Sequence, residues 1–473
     1  MRSPTVTALI IATALFMENM DGTVISTSLP AIASDLHRDP IVLKLALTSY
    51  LLTLAVLIPA SGWVADRFGA RTVFCTAIIV FTTGSILCGA STSLETLIAA
   101  RVFQGLGGAM MVPVGRLVLL RSVEKSDLVN AMAWLTIPAL LGPVAGPPLG
   151  GFITTYFHWR WIFWINVPIG VLGVALSLRF IANLREEVVA RFDYIGFVLS
   201  GLGLLGLISG LSLIGRGMAP WQVVVTMIVV SLGLLWAYVR HAGQNEDAIL
   251  DLELLKVPTF YSGVVGGLIF RTGIGALPFL VPLLLQLGFG LTPFQSGSLT
   301  FATAAGALLM KFSASRTLRW LGFRSALMTF ALVSGAFMAS YSLFTAETPH
   351  WLIFLALLSG GFFRSLVFTA LNAISYADID PPRMSRATSF ASVSQQMSGA
   401  VGVAVAAICI QVIQIALGDQ TLVARDLSIA FVLVAILSSL AVLVFMQLAP
   451  NAGAAVSGKT TPSRREHAAA AAE

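Results

Sequence analysis

Charged residues and cysteines are both scarce in this sequence. Asp, Glu, Lys and Arg together make up 11% of the 473 residues, whereas a typical soluble domain carries about 25%. So few charges cannot cover the surface of a soluble core of this size, which excludes an ordinary soluble protein. The three cysteines, Cys75, Cys88 and Cys409, lie far apart in the chain, so they form neither a disulfide framework nor a metal-binding spacing.

Motifs for catalysis and cofactor binding are also missing. The sequence contains no Walker loop, so ATP is not the predicted energy source. Its five histidines are isolated from one another and assemble neither a metal cluster nor a catalytic triad. The run 201–206 fits the dinucleotide fingerprint literally, but it lies inside an apolar block with no strand before it. We therefore predict neither an enzyme nor a bound cofactor or metal.

Long apolar blocks dominate what is present, since 57% of the residues are hydrophobic. Blocks of about 18 or more residues with few charges indicate bilayer spans, and in lipid such spans become helices because backbone groups must pair within the segment. Breaks rich in Pro, Gly or charge divide the blocks and predict an all-α polytopic membrane protein with about fourteen transmembrane helices. The predicted spans are 6–34, 42–65, 73–92, 96–119, 129–153, 161–181, 194–215, 221–240, 259–287, 294–315, 325–345, 350–374, 386–416 and 427–448.

The basic residues are distributed unevenly between the loops. Nineteen of the 28 Lys and Arg residues fall in one set of alternate loops and at the chain ends, five fall in the other set, and four fall inside spans. The positive-inside rule then predicts that both termini are cytoplasmic. The same bias explains the formal net charge of +6 without nucleic acid as a partner.

Two acids, Glu18 and Asp21, lie well inside the first span. They are three positions apart and share a helix face, and a carboxylate is costly in lipid while charged, so either is a candidate proton carrier. Arg101 lies inside the fourth span, where a guanidinium needs an acid or several carbonyl groups. We predict that Arg101 pairs with Glu18 or Asp21 and that protonation breaks the pair. The alternative is a purely structural ion pair.

Further positive charge lies in or near the spans. Arg271 and Arg364 are deep, so the spans carry a net positive charge, which predicts an anionic or zwitterionic substrate at least as readily as a cation. Arg116 and Lys311 lie near span ends, where we predict side chains that reach the cytoplasmic interface. The residues predicted to line a substrate cavity are Arg271, Arg364, Gln286, Asn372, Phe279 and Phe363. For the aromatic residues, a lipid-facing position is the alternative.

A basic turn at 62–71 follows the second span. Gly62 permits close approach of another helix, and Asp66 can accept hydrogen bonds at the N-terminus of a neighbouring helix. A degenerate match at 319–324, after the tenth span, indicates two six-helix repeats. The residues of the turn predicted to act in gating are Gly62, Asp66, Arg67, Gly69 and Arg71. An ordinary basic turn is the alternative.

The fifth span carries a periodic glycine pattern. Gly142, Gly146 and Gly150 recur every four residues and line one helix face. Small residues let two helix backbones touch, while Pro143 and Pro147 remove backbone donors and bend the helix. We predict that this face forms a gate between two bundles that rock against each other. Plain tight packing is the alternative.

Several of these runs resemble motifs of the major facilitator superfamily. The segment 62–71 resembles its loop signature, 101–108 its fourth-helix motif, and 142–151 the fifth-helix motif associated with its antiporters. The segments 21–30 and 159–170 resemble motifs of its fourteen-span drug:proton antiporters. Together these motifs cover the first half of the chain in the order expected for that family.

The later half resembles the family less closely. There the run 271–279 and the lone Lys311 are most similar to one subgroup of multidrug transporters. The resemblance implies a major facilitator fold of two six-helix bundles with two inserted helices. The implied domains are a first bundle at 1–185, the inserted pair with its linkers at 186–256, a second bundle at 257–450, and a disordered cytoplasmic tail at 451–473.

The function implied by the resemblance is proton-coupled efflux of small amphipathic molecules by alternating access, with the proton gradient as energy source. It also implies that Asp21 and Arg101 act in proton coupling and that the seam at 142–151 limits proton leak, whereas Glu18 departs from the family motif. The expected partners are a small-molecule substrate, protons and the lipid bilayer, for a monomer in a bacterial inner membrane. The alternative is an exporter, uniporter or symporter of organic acid metabolites.

Overall fold

The computed structural model describes residues 4–38, 43–183, 191–213, 220–418 and 423–457. Within these ranges the chain is helical between its turns and forms no strand, and twelve helices are long and apolar enough to cross a membrane. Two more, Leu128–Tyr156 and Pro293–Leu321, have 29 residues each. Their length of about 43 Å exceeds the apolar thickness of a bilayer, about 30 Å. The prediction of an all-α membrane protein with about fourteen transmembrane helices is confirmed.

Six helices form the first bundle. They are α1 (Pro4–Asp35), α2 (Lys44–Leu57, continued by Ser61–Phe68 after the 3₁₀ turn Ile58–Ala60), α3 (Ala70–Ala90), α4 (Leu94–Ser122), α5 (Leu128–Tyr156) and α6 (Trp161–Trp164 with Asn166–Phe180). In this bundle α1 packs on α5 and α6, α4 packs on both α2 and α3, and α3 also packs on α6.

Two inserted helices follow, α7 (Tyr194–Leu213) and α8 (Trp221–Ala242), and they pack on each other. α7 also contacts α2 of the first bundle, whereas most of α8 is exposed, as expected for a helix that faces lipid. The linker after α8 ends in the 3₁₀ turn Leu252–Lys256. Parts of the predicted linkers, 184–190 and 214–219, lie outside the described residues.

The second bundle repeats the first. Its helices are α9 (Pro258–Gly288, with π-helical turns at Ser262–Gly266 and Leu284–Gly288), α10 (Pro293–Leu321), α11 (Phe323–Ser340), α12 (His350–Ile374), α13 (Met384–Leu417) and α14 (Ala424–Ser439, continued by Ala441–Phe445). α9 packs on α13 and α14, α12 packs on both α10 and α11, and α11 packs on α14. These pairings are those of the first bundle shifted by eight helices, which is the organisation of a transporter with internal repeats.

The repeat extends to the turn after the second helix of each bundle. Gly69 ends α2 with φ 90° and ψ 132°, and Gly322 ends α10 with φ 77° and ψ 166°. Residues with a side chain rarely adopt a positive φ with an extended ψ, so both turns need glycine. The degenerate sequence match at 319–324 therefore reflects one backbone geometry used twice.

The face that carries these two turns also carries the end of the described chain, and we call it the basic face. There Ala454–Ser457 forms a short helix that contacts the 3₁₀ turn Lys125–Asp127, α5 of the first bundle and α10 of the second. Val456 is 1% exposed. The expectation of a disordered tail is therefore wrong for 451–457, because an apolar side chain anchors this segment. Residues 458–473 lie outside the described part of the chain.

On the opposite face, the turn before α6 is attached to the end of α1. The indole nitrogen of Trp159 and Nη1 of Arg160 each donate to Asp35 Oδ2 at 2.9 Å. The indole hydrogen bond, with the Arg160 guanidinium beside it, holds the pKa of Asp35 below its ordinary value. This ion pair joins two segments that are distant in sequence and fixes the loop end of the 159–170 motif.

Candidate functional site

A cavity of about 520 Å³ lies between the two bundles. The first bundle lines it with α1, α2, α4 and α5, and the second with α9, α12 and α13. Among the described residues, the charged side chains of the lining are Glu18, Arg116 and Arg271. Its uncharged polar residues are Asn19, Thr136, Asn372, Ser392, Gln395, Gln396 and Ser398. Apolar residues form the rest of the lining, and a concave site that combines apolar surface with polar groups is the usual form of a small-molecule site.

Arg116 closes this cavity toward the basic face. Its Nη2 donates to Gln395 Oε1 at 3.0 Å and its Nη1 donates to the Tyr376 hydroxyl at 3.3 Å, so a side chain of the first bundle holds the second. Gln395 in turn donates to Asn372 Oδ1 at 3.0 Å. Arg116 is 6% exposed. The prediction that it reaches the interface is wrong, because these groups of the second bundle cover its guanidinium.

Arg271 reaches the cavity from α9 without a hydrogen bond to any described residue. Its side chain is 7% exposed, and its buried Nε has no partner. The guanidinium carbon lies 6.0 Å from the ring centroid of Phe368, at the outer limit of a cation–π contact. Arg116 repels it electrostatically. A buried donor without a partner is costly, so this group has unused capacity to bind a ligand.

The two acids of α1 have different surroundings. Glu18 lines the cavity, and its buried Oε2 has no hydrogen-bond partner. Asp21 is 3% exposed and lies inside the first bundle, outside the cavity lining. A step of three residues turns a helix by about 60°. This rotation directs one carboxylate toward the second bundle and the other into the first.

Asp21 accepts three hydrogen bonds in the core of the first bundle. Arg101 Nη1 donates to its Oδ2 at 2.5 Å, while the amides of Gln104 and Asn166 donate to its Oδ1 at 3.0 and 3.1 Å. The same two amides donate to the hydroxyl of Ser85 at 3.2 and 2.8 Å. The network joins α1, α3, α4 and α6, so a change of charge at Asp21 would alter the hydrogen bonds that hold these four helices together.

Arg101 pairs with Asp21 and not with Glu18. Its Nε donates to the Ala46 carbonyl at 3.2 Å, and its guanidinium carbon lies 4.4 Å from the ring centroid of Tyr50. The side chain is fully buried, so Asp21 balances its charge where water is absent. Removing one partner of such a pair costs about 3–5 kcal/mol. The predicted ion pair is present, and its part in proton coupling stays a prediction.

Sequence reasoning missed the other members of this network, Gln104, Asn166, Ser85 and Tyr50. Gln104 lies in the 101–108 motif and Asn166 in the 159–170 motif. The available signal was a single amide in an apolar span, since a buried amide needs partners. The partners themselves lie on other helices and are therefore not visible in the local sequence.

Lys311 is also buried, inside the second bundle. It is 5% exposed, and its Nζ donates to the hydroxyl of Thr369 at 2.6 Å. The prediction that it reaches the interface is wrong, because α10 packs against α12 along this face and Thr369 binds the ammonium. In the described part of the chain no acid lies within ion-pair distance of it.

Arg271 and Asn372 are the two predicted substrate-cavity residues that line the cavity in this conformation. Arg364 is 8% exposed but does not belong to that lining, and Gln286 lies farther along α9 in the second π-helical turn. Substrate contact by Arg364 and Gln286 stays a prediction.

The two predicted cavity phenylalanines pack elsewhere in the second bundle. Phe363 stacks on Phe330 and Phe337 of α11, with ring centroids 5.7 and 5.5 Å apart. Phe279 packs on the apolar cluster at the end of the bundle opposite the basic face. A wall for planar substrates is instead available from Phe368, which does line the cavity.

The two bundles meet at the basic face beside the predicted gating turn. A Cβ on Gly62 would lie 2.6 Å from the backbone oxygen of Ser385, so only glycine allows α13 to approach this closely. One residue earlier, the hydroxyl of Ser61 lies 2.8 Å from that of Ser389. The contact is therefore between backbones and small side chains.

Charged groups reinforce this contact. Asp66 accepts a hydrogen bond from Arg121 Nη2 at 3.0 Å and another from the hydroxyl of Ser385, so its carboxylate joins both bundles. Lys125 Nζ donates to the Ala377 carbonyl at 2.9 Å. With Arg116, these residues close the cavity at the basic face.

The other predicted gating residues of the turn hold it on the first bundle. Arg71 Nη1 donates to the Ile181 carbonyl at 3.3 Å, next to the end of α6. Arg67 is exposed, and Gly69 provides the positive φ of the turn. The roles of these three residues in gating stay predictions.

The glycine face of α5 packs within the first bundle. A Cβ on Gly142 would lie 3.0 Å from the carbonyl oxygen of Phe16, and a Cβ on Gly146 would lie still closer to Oγ1 of Thr23. Phe16 and Thr23 are both on α1. Gly150 is buried, and the side chains of Pro143 and Pro147 lie outside the described residues. The prediction that this face lies between the two bundles is corrected for Gly142 and Gly146, because α1 occupies that position.

Two repeated six-helix bundles, a cavity between them that is closed at one face, and an ion pair buried in one bundle define a polytopic membrane transporter. The chain belongs to the major facilitator superfamily, since the model of that family matches residues 11–403. The family resemblance of the sequence motifs is thereby confirmed.

Individual relatives agree with this assignment. The chain is 38% identical over 402 residues to MdtD of Serratia proteamaculans, named as a multidrug resistance protein, covering 85% of this chain and 84% of that one. It is 36% identical over 401 residues to HsrA of Haemophilus influenzae, named as a transport protein, covering 85% and 86%. The subgroup that the run 271–279 and Lys311 resemble is that of MdtD.

Solved structures show the same fold. The human organic anion transporter MFSD10 matches with a TM-score of 0.67 and 15% identity, covering 94% of this chain and 100% of that one. The proton:xylose symporter XylE matches with a TM-score of 0.67 and 13% identity, covering 95% and 97%.

Proposed function

We propose that this protein exports small amphipathic molecules in exchange for protons, with the proton gradient as its energy source and without a bound cofactor. The observation that carries the proposal is the buried pair of Asp21 and Arg101, since ionisable groups inside a membrane bundle mark ion pathways. Protonation of Asp21 removes the counter-charge of Arg101, so the pair has two states. The names of the bacterial relatives support efflux of drug-like molecules.

We propose further that the basic face is cytoplasmic, in a bacterial inner membrane. The excess of Lys and Arg in the loops of that face supports this orientation. In this orientation the conformation is closed to the cytoplasm. Residues of one chain line the cavity from both bundles, which supports a monomer as the working unit.

The proposed cycle is alternating access by rocking of the bundles around the cavity. The hydrogen bonds of Arg116 with Gln395 and of Asp66 with Ser385 hold the cytoplasmic side closed. A proton from outside neutralises Asp21 and leaves the Arg101 charge uncompensated, which destabilises the packing of four helices. After the cavity opens to the cytoplasm, the proton leaves and substrate enters.

Purified protein in proteoliposomes should couple dye movement to an imposed pH gradient. One pH unit corresponds to about 1.4 kcal/mol per proton and can sustain about a tenfold dye gradient for each proton exchanged. We expect uphill movement of ethidium or a lipophilic anionic dye when the pH gradient is imposed, with proton flux in the opposite direction. A proton ionophore should abolish both.

Protein-free liposomes and a preparation with no pH gradient are the controls. Dye flux that runs only downhill and moves no protons would contradict antiport and indicate a uniporter. Dye and protons that move in the same direction would indicate a symporter.

A further inference from the structure

The charge of the central cavity has the wrong sign for a site that selects cations. Its charged lining residues in the described chain are Glu18 from α1, Arg116 from α4 and Arg271 from α9, while α2, α5, α12 and α13 add only neutral side chains. The balance is positive by one charge with Glu18 ionised and by two with Glu18 protonated. A cation that entered would meet two guanidinium groups and one carboxylate.

The two guanidinium groups are also incompletely satisfied. Arg271 makes no hydrogen bond to a described residue, and Arg116 leaves its Nε without a partner after bonding Gln395 and Tyr376. Both side chains are more than nine-tenths buried. Two like charges held together in a cavity repel each other, and an anion between them relieves the repulsion and supplies the missing acceptors.

We infer that the cavity binds the anionic group of an amphipathic organic anion between Arg116 and Arg271, with its apolar part against Phe368. The inference rests on the proposed function, because the same cavity is taken as the transport site. Phe368 lies on the same wall as Arg271, so an aromatic body can pack on its ring while the acid group reaches the guanidinium. The carboxylate of Glu18 opposes such a ligand when it is charged.

This arrangement divides the work of the two acids. An anion in the cavity favours the protonated form of Glu18, because binding energies of two ligands to one protein are linked reciprocally. Glu18 therefore sets the charge preference of the cavity. Asp21 lies about 60° away from Glu18 around α1 and is directed into the first bundle, outside the cavity lining. We assign the exchanged proton to Asp21.

Equilibrium titration of the full chain in lipid nanodiscs tests this inference. Three probes that share a naphthalene body and differ in the charge of the head group are compared by calorimetry: 2-naphthoate, 2-naphthamide and (2-naphthylmethyl)trimethylammonium. We expect 2-naphthoate to bind most tightly and the ammonium least. Arg271→Gln should weaken the binding of 2-naphthoate at least about tenfold, as loss of a charge-assisted hydrogen bond does. The same substitution should change the affinity for 2-naphthamide little. Glu18→Gln should raise the affinity for 2-naphthoate several-fold.

Lys311→Gln is the control, because it also removes a buried cation of the second bundle, but one that lies outside the cavity lining. It should leave the affinity for 2-naphthoate unchanged. Arg271→Lys keeps the charge and should retain most of the affinity, which separates loss of charge from loss of fold, as does the thermal midpoint of each variant.

Failure to bind 2-naphthoate, equal binding of 2-naphthoate and 2-naphthamide, or tightest binding of the ammonium would each overturn the inference. No pH gradient is present in the titration, so its outcome is independent of proton coupling. If the protein exchanges a cationic dye for protons but does not bind 2-naphthoate, the proposed function would stand and this inference would be wrong.

Discussion

Asp21→Asn should reduce proton-driven dye transport in proteoliposomes to the level of protein-free liposomes. The variant cannot take up a proton at this position, and it leaves the fully buried Arg101 without its counter-charge. The uncompensated charge should also destabilise the first bundle by about 3–5 kcal/mol, seen as a lower thermal midpoint. Arg101→Gln should have the same effect on coupling for the complementary reason, since the carboxylate then has no cation to release.

A double variant, Asp21→Asn with Arg101→Gln, separates coupling from structure. Two neutral amides can bond each other at this position, so the double variant should recover most of the stability lost by Asp21→Asn. If the pair were only structural, transport would return together with stability. We expect a well-folded protein that still fails to couple dye to the pH gradient, and recovery of coupled transport would contradict a role in proton exchange.

Gly62→Val should shift the protein away from the conformation that is closed at the basic face. Even a Cβ at this position would lie 2.6 Å from the Ser385 backbone oxygen, and the backbone of α13 cannot move aside without separating the bundles. Overpacking of this kind costs about 1–3 kcal/mol, which corresponds to about a 5- to 150-fold change between two conformations. Transport should fall accordingly, because the cycle requires this closure.

Labelling of Ser392→Cys in the cavity lining measures the shift directly. With Gly62→Val present, a membrane-impermeant maleimide applied to the basic face should label this cysteine faster, above the background of the native cysteines. Gly233→Val is the control, because nothing lies within 4 Å of a Cβ on that exposed residue of α8. Unchanged labelling and transport in Gly62→Val would show that this contact does not gate the cavity.

The number and type of helices were predictable because lipid offers no hydrogen-bond partners to the backbone. An apolar block long enough to cross the bilayer has to satisfy its own backbone, so the blocks map onto helices almost one to one. The turns at Gly69 and Gly322 were predictable as a repeat for a related reason, since their geometry admits only glycine.

The depth of individual charges was not predictable from their distance to a helix end. Arg116 lies six residues before the end of α4, about 9 Å along the helix axis, and an isolated helix would let it reach water. Tyr376 and Gln395 prevent this, and both come from the second bundle. Sequence position gives depth only where no other part of the chain covers the helix end.

The choice between Glu18 and Asp21 likewise depended on tertiary packing. Both acids share one broad face of α1, and the sequence left both as partners for Arg101. The helices that surround α1 resolve that face into two directions about 60° apart. Gln104 and Asn166, both in the first bundle, donate hydrogen bonds to Asp21 and so hold it beside Arg101. No pattern along α1 itself could indicate these partners.

The short helix Ala454–Ser457 touches both bundles at the basic face, with Val456 enclosed. When the bundles separate there, this segment has to leave one of its two partners or stretch between them. The segment therefore bridges the two bundles at the basic face, and its packing contributes to the stability of the closed conformation. Deleting the chain from Asn451 onward would remove this contact between the bundles while leaving every cavity residue in place.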